Sequence, residues 1–326
     1  MRGVSISSLP RTMTFTLALA VVLLALPALA DRAGLSLATE FCAVLAIAIM
    51  WNLLAGFAGI VFIGVPLFIG TGGYVLYLLA NALGVPPYAL IAVGGVAAAL
   101  VALIVAPLLF RLNGPQLAIG SWVLAEIARL AVLLSPSLGG GGGMNLSVMR
   151  LVDRTWRMTF NFYAAAAVLM VSVIVCLVLM RSRFGLALRA VRDSEHAAQA
   201  MGVNVARVRY ATLAIAAFTT GCAGAAYYIS SVQISPASAF SMNWTAMVIF
   251  IVIMGGLGSI EGPIIGAIVY FVLREYLSGL GSGYFILSGL LAIGITIYRP
   301  QGLWGIARSW LRFDLLPVQH RPRPIV

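Results

Sequence analysis

The chain has 326 residues, 62% of them hydrophobic and only 9% charged. Soluble domains run near half apolar and about a quarter charged, so this composition excludes a water-soluble globular fold and is that of an integral membrane protein. The formal charge of +11 comes from twenty bases against nine acids; every base is arginine, and without lysine there is no Walker A phosphate loop, Schiff-base lysine or Ser-Lys dyad.

A membrane helix takes about 20 predominantly apolar residues. That ruler predicts an all-α, polytopic chain of about ten transmembrane segments, near 13–30, 35–55, 60–82, 87–110, 115–134, 160–180, 210–232, 243–257, 262–280 and 283–298, with eight to ten full spans. The third and the eighth to tenth are short or glycine-rich and read as full spans or as broken or re-entrant ones. With both termini in the cytoplasm, fourteen arginines lie inside, four outside (Arg32, Arg150, Arg154, Arg157), and Arg129 and Arg274 fall within apolar segments. This is the positive-inside distribution, so the basic excess marks cytoplasmic loops and gives no sign of nucleic acid. The first segment, preceded by Arg2 and Arg11 and followed by Ala28-Leu29-Ala30, is either an uncleaved helix, the preferred reading, or a cleavable signal.

Along the chain, Gly56, Gly59 and Gly64 followed by Pro66 interrupt the first half, and Gly258, Gly262 and Gly266 with Pro263 interrupt the second. Such glycines either permit close helix packing or mark broken helices lining a path, with Gly258 and Gly262 the path candidates. Glu126 and Arg129, three apart in the 115–134 segment, share a face and can pair. Charge inside a membrane is costly and therefore informative: the pair either ties helices together or belongs to a translocation path. Glu40, Arg274 and Glu275 lie nearer segment ends, where they snorkel or hold the outer surface. Residues 135–159, with five consecutive glycines from Gly139 to Gly143, form an external loop too flexible for a helix. Its second half is a plain connection, a short interfacial element or a contact for an external partner. Cys42, Cys176 and Cys222 sit singly in apolar stretches, as packing cysteines do.

The longest charged interval, 181–209, carries six arginines against Asp193 and Glu195. Asp193 or Ser194 can cap a short helix whose first turn holds Glu195. Ala197, Ala198 and Ala200 favour the helix, Gly202 can close it in a left-handed cap, and Asn204 can cap the next one. On its own the interval is either an ordinary basic loop or a short docking element. The run Gly185-Leu-Ala-Leu-Arg-Ala-Val-Arg-Asp-Ser-Glu195, then Ala197-Ala198 and Met201-Gly202-Val203-Asn204, resembles the cytoplasmic loop of branched-chain amino acid ABC transporter permeases of the LivM type. Three blocks strengthen the resemblance: Asn52-Leu-Leu-Ala-Gly56-Phe-Ala-Gly59, Gly255-Gly-Leu-Gly258-Ser-Ile-Glu-Gly262-Pro-Ile-Ile-Gly266-Ala, and Arg299-Pro300-Gln301-Gly302-Leu303-Trp304-Gly305. Together the four run in the family's order across about residues 40–305.

The resemblance implies one transmembrane permease domain over 1–326 with the ABC importer permease fold, a coupling loop at 181–209 and a cytoplasmic tail at 299–326. It implies a noncatalytic inner-membrane subunit without a cofactor. Its expected partners are a second homologous permease, two cytoplasmic ATPase subunits and an external substrate-binding protein. Branched-chain amino acids are the expected cargo, with urea or another small solute as the alternative. Ala197, Ala198 and Gly202 match the Ala-Ala-x-x-x-Gly signature of the ATPase-coupling helix; His196 rather than Glu precedes the alanine pair, and Glu195 stands one place earlier. Glu195 is the natural salt-bridge candidate toward the ATPase, and Arg189 and Arg192 either make similar contacts or anchor the loop. From a different class, an ion-coupled secondary transporter would need acidic residues at a central ion site and no docking helix.

Overall fold

In hydrocarbon every backbone polar group must be satisfied within the protein, which leaves these apolar runs little choice but helix. The computed structural model describes residues 9–151, 154–277, 283–298 and 301–311. In chain order the helices are α1 (Leu9–Leu29), α2 (Arg32–Asn52), α3 (Val65–Leu83), α4 (Ile91–Leu109), α5 (Pro115–Leu133), α6 (Arg154–Arg181), α7 (Arg183–Asp193) and α8 (Glu195–Ala200). They continue with α9 (Val205–Ser231), α10 (Pro236–Ala239), α11 (Asn243–Gly255), α12 (Gly262–Leu277), α13 (Gly283–Tyr298) and α14 (Gly302–Leu311).

Among the described residues, seven stretches are long and apolar enough to cross a membrane: Arg32–Phe57, Val65–Leu83, Pro87–Leu109, Pro115–Leu133, Trp156–Arg181, Val205–Ser231 and Pro236–Gly255. The ten expected segments each coincide with a helix, but ten full spans are not. The other three are α1, with a described apolar stretch at Thr14–Leu29, and α12 and α13, each described over sixteen residues and bordering residues outside the described ones. Of the expected C-terminal tail, residues 302–311 form α14, which packs on α11 and α12; 299–300 and 312–326 lie outside the described residues.

Two helices form the centre. From Cys42 through Ala58 every residue of α2 and its extension is buried, as an all-apolar helix requires. The 27-residue α9, about 40 Å long at 1.5 Å per residue, packs on α2, α3, α4 and α6. Small residues set these distances: a Cβ on Gly72 of α3 would lie 2.8 Å from Gly221 Cα of α9, so the two backbones pass almost in contact.

The chain is not helical throughout. At its C-terminal end α2 widens into a π-helical turn, Leu53–Phe57, and 58–64 run without helix until Pro66 opens α3. Buried non-helical backbone survives only if its groups find partners. The Ser121 hydroxyl accepts from Ile63 N and Gly64 N (3.0 and 3.1 Å), Thr245 Oγ1 donates to Ile63 O (2.6 Å), and Trp51 Nε1 donates to Phe62 O (2.8 Å). The glycine-and-proline interruption read from the sequence is thus a true break, held by side chains from α2, α5 and α11.

At the opposite end, the segment between α5 and α6 is more ordered than its glycines suggested. Gly140–Gly142 make a 3₁₀ turn, and Met144–Asn145 (β1) pair antiparallel with Gln233–Ile234 (β2), Met144 opposite Ile234 and Asn145 opposite Gln233. Asn81 on α3 secures it, donating to Asn145 O (2.9 Å) and accepting from the Ser147 hydroxyl (2.8 Å). Helix α6 starts at Arg154, earlier than the expected 160.

Candidate functional site: the α7–α8 elbow and its clasp

Between the two long helices α6 and α9 the chain makes an elbow of α7 and α8. The local chemistry is as the residues required. Ser194, not Asp193, is the cap of α8: its hydroxyl accepts from Ala197 N at 3.3 Å. Gly202, at φ +83°, closes the helix with its N–H on Gln199 O (2.9 Å). Asn204 caps α9 by accepting from Arg207 N at 2.9 Å. The helix itself is shorter than the expected eight residues, six from Glu195 to Ala200.

The candidate coupling residues divide by the direction they face. Ala198 is fully buried and seats α8 on α7 and α9, whereas His196, Ala197, Gln199 and Ala200 are exposed, with Met201 following at 73% exposure. The outward surface therefore sets two alanines beside His196 and Gln199 and is edged by a methionine, and the inward Ala198 is a packing position. Glu195, the salt-bridge candidate toward an ATPase, accepts from Arg209 Nη2 at 2.8 Å within the chain, which pins α8 to the start of α9. Arg209 also lies over the Phe110 ring at 5.8 Å, which ties the α4–α5 turn to the same corner.

The two loop arginines turn inward. Arg189 donates to Met180 O and Gly185 O (3.1 and 3.3 Å) at the end of α6. Burial, and after it the Arg192 guanidinium, lowers the pKa of Arg189; arginine still stays charged. Arg192 forks: Nε and Nη2 hold Asp193 Oδ1 (3.0 and 2.9 Å), while Nη1 donates to Gly56 O at 3.0 Å. Both arginines thus make bonds within the chain that hold the elbow to α6 and to the end of α2.

Gly56 belongs to the first glycine block, and here the four sequence blocks meet. Asn52, 1% exposed, donates from Nδ2 to Ser259 O (2.7 Å) and accepts at Oδ1 from Gly258 N (2.8 Å), joining α2 to the α11–α12 turn. Gly56 lies against Gly258; a Cβ on Gly56 would come within 2.9 Å of Gly258 Cα. Ser259 in turn bridges Gly256 O and Gly262 N (2.8 and 3.1 Å). The fourth block closes the stack, since a Cβ on Gly256 would stand 2.7 Å from Gln301 O and Trp304 is buried beneath it. Gly258, at φ +76°, sits in a turn rather than on the small-residue helix stripe its GxxxG spacing suggested; Gly262 opens α12.

Glu126 and Arg129 are not part of this cluster. They pair on α5, both Glu126 oxygens 2.9 Å from Arg129 Nε, with side chains 40% and 29% exposed among the outward-facing Trp122, Ile127 and Leu130. Asn52, Arg209 and Ser121 are the residues the sequence reading left unranked. Asn52 had a signal, as the first residue of a block; Arg209 and Ser121 had none that spacing reveals.

The sequence profile described as "Branched-chain amino acid transport system / permease component" matches residues 34–299. The chain is 26% identical over 324 residues to the high-affinity branched-chain amino acid transport system permease protein LivM of Salmonella typhimurium and, equally, to that of Escherichia coli; each comparison covers 91% of this chain and 76% of the relative. It is also 26% identical over 269 residues to a probable branched-chain amino acid transport permease protein LivH of Methanocaldococcus jannaschii, covering 75% of this chain and 82% of the relative. No solved structure matches.

Proposed function

The chain belongs to the branched-chain amino acid transport permease family, and on that footing we propose that it is one of two related permease subunits of an ATP-driven importer, carrying branched-chain amino acids across a bacterial inner membrane. It is a noncatalytic transport subunit; ATP is hydrolysed on partner chains. Similarity to both LivM and LivH relatives supports a second permease of the same family as its membrane partner.

The arginine-rich end, with the α7–α8 elbow, faces the cytoplasm by the positive-inside rule, and both termini lie on that side. The observation that carries the reading is the clasp: a capped, outward-facing helix whose anchors run through Arg192 and Asn52 to both glycine breaks. The exposed face of α8, centred on Ala197, Ala200 and Met201, is the surface an ATPase subunit engages. The anchor residues Arg189, Arg192 and Glu195 hold it at a fixed angle, and Ala198 and Gly202 fix its seat and its end. A shift of α8 then moves the non-helical junctions 58–64 and 256–261, around which α3 and α12 can reorient as rigid bodies. Glu126 and Arg129 are assigned to the boundary of the translocation path, facing the second permease rather than lipid, with Gly258 and Gly262 at its cytoplasmic end.

The test is co-expression with a second permease of the family, its ATPase subunits and a substrate-binding protein. The expected result is a complex that co-purifies and whose ATPase rate rises with loaded binding protein. Solute uptake by this chain alone in liposomes, driven by an ion gradient, would overturn the proposal.

A further inference from the structure

At the end of the bundle remote from α8 lies a cavity of about 570 Å³ that the clasp does not touch. Its lining comes from five helices, a strand and the turns beside them: Glu40 of α2, Tyr227 and Ser231 near the end of α9, Gln233 of β2, Ser238 of α10 with its flanking serines, Asn243, Trp244 and Met247 of α11, and Tyr270 of α12. Tyr227 is 22 residues from the start of α9, so the cavity is about 33 Å from the elbow at 1.5 Å per residue and opens at the other membrane face.

The wall has two chemistries. One side is apolar and stiff: the Tyr227 and Trp244 rings meet edge to face at 4.8 Å, and Trp244 is fixed by Nε1 donating to Ser238 O at 3.0 Å. Tyr228 is held from behind by the Tyr77 hydroxyl on its carbonyl (2.7 Å). The other side is polar. Glu40 takes Arg274 bidentately at 2.6 and 2.8 Å, which uses one lone pair on each oxygen and leaves the others for a further donor. The side-chain amides of Gln233 and Asn243 make no hydrogen bond among the described residues. A pocket of this size, with aromatic rings and a methionine on one side and placed polar groups on the other, is a form that small-molecule sites take.

We propose that this cavity is a receiving site for an aliphatic α-amino acid in its zwitterionic form. Tyr227, Trp244 and Met247 take the side chain, Glu40 accepts from the ammonium, and the amides of Asn243 and Gln233 donate to the carboxylate. The Glu40–Arg274 pair is neutral as a unit, so the site suits a ligand of zero net charge and disfavours lysine or aspartate. The assignment rests on the import of branched-chain amino acids proposed above and gives that reading a location within the chain. It also gives Glu40 and Arg274 a second task beyond holding the outer surface.

The test uses the complete importer in nanodiscs without binding protein, probed with radiolabelled L-leucine, alongside leucine uptake by the same complex with binding protein in vesicles. Saturable binding is expected, weakened about tenfold by Asn243→Ala, the loss of one hydrogen bond to a charged group. Asn243 is exposed and its amide is unengaged, so this variant leaves the fold intact; Glu40→Gln should weaken binding as well. L-lysine and L-aspartate should compete poorly. Leucine uptake without saturable binding, binding unchanged in both variants, or effective competition by lysine would overturn the site while leaving the importer reading in place. No uptake of any aliphatic amino acid would instead remove the reading beneath it.

Discussion

Asn52 is the test of whether the clasp carries load. Its two hydrogen bonds, to Ser259 O at 2.7 Å and from Gly258 N at 2.8 Å, are the direct polar link between α2 and the α11–α12 turn. Asn52→Leu keeps the branching and the heavy-atom count of the side chain, so the main cost is that of two unsatisfied backbone groups, about 1–3 kcal/mol each when buried. Gly258 and Ser259 are only partly buried, which puts the pair at the lower end, about 2–3 kcal/mol. At roughly 2–4 °C per kcal/mol for large domains, the unfolding midpoint of the detergent-solubilised chain should fall by about 4–12 °C. In reconstituted importer the same variant should hydrolyse ATP while moving less amino acid per ATP, because α8 no longer pulls on the α11–α12 turn. A variant that melts with the wild type and transports at the wild-type ratio would refute both the energetic argument and the coupling path.

Three further perturbations separate the parts. Arg192→Ala removes the link to Gly56 O and should leave ATPase activity in place with uptake lowered about tenfold, whereas Arg192→Lys, which cannot fork between Gly56 and Asp193, should fall between; equal uptake in all three would end the anchor assignment. Gly202→Ala places an alanine at φ +83° with nothing within 4 Å of the new Cβ, so thermal scans should show only the left-handed penalty of about 1–2 kcal/mol. Gly202→Pro, with φ fixed near −65° and the bond to Gln199 lost, should reach the membrane yet uncouple ATP use from uptake. Glu126→Leu strands Arg129 and should reduce the amount of chain inserted, measured by membrane fractionation, and the double change with Arg129→Leu should restore it. Restored insertion with lost uptake assigns the pair to the path; restored insertion with normal uptake assigns it to packing.

Much of this was legible in the residues, and what was not has a physical reason. Capping is local, so Ser194, Gly202 and Asn204 announce the elbow within a few positions of where their partners lie. The glycine-proline breaks are equally local, since φ and backbone crowding are properties of single residues. Pairings across the fold are different. The resemblance makes Glu195 a salt-bridge candidate toward an ATPase, and among the six arginines of its interval it is Arg209, fourteen positions on, that it meets within the chain, through a reversal of chain direction that spacing does not disclose. Ala197 and Ala198 are chemically identical in sequence, and only the seat of α8 on α7 and α9 decides that one is a surface and the other a core position. Hydropathy marks ten apolar runs, of which seven are long and apolar enough to cross a membrane among the described residues; it does not disclose that the break around Gly256–Glu261 is a tight turn rather than a polar loop.

The cavity and the clasp share their helices, and this gives the fold a mechanical sense. Helix α2 carries Glu40 at one end and Asn52 at the other, about 18 Å along its axis at 1.5 Å per residue; α9 carries Tyr227 and the Glu195-bound Arg209; α12 carries Tyr270 and Gly262. No flexible loop intervenes between the two ends of any of these helices. Interiors packed to contact, as at Gly72 and Gly221, transmit displacement rather than absorb it. The breaks at 58–64 and 256–261 sit at the elbow end, where Asn52, Ser121 and Thr245 replace helical hydrogen bonds with side-chain ones. A push on α8 therefore meets stiff rods pivoting on a hydrogen-bonded hinge, and the far ends of those rods are the walls of the amino-acid cavity.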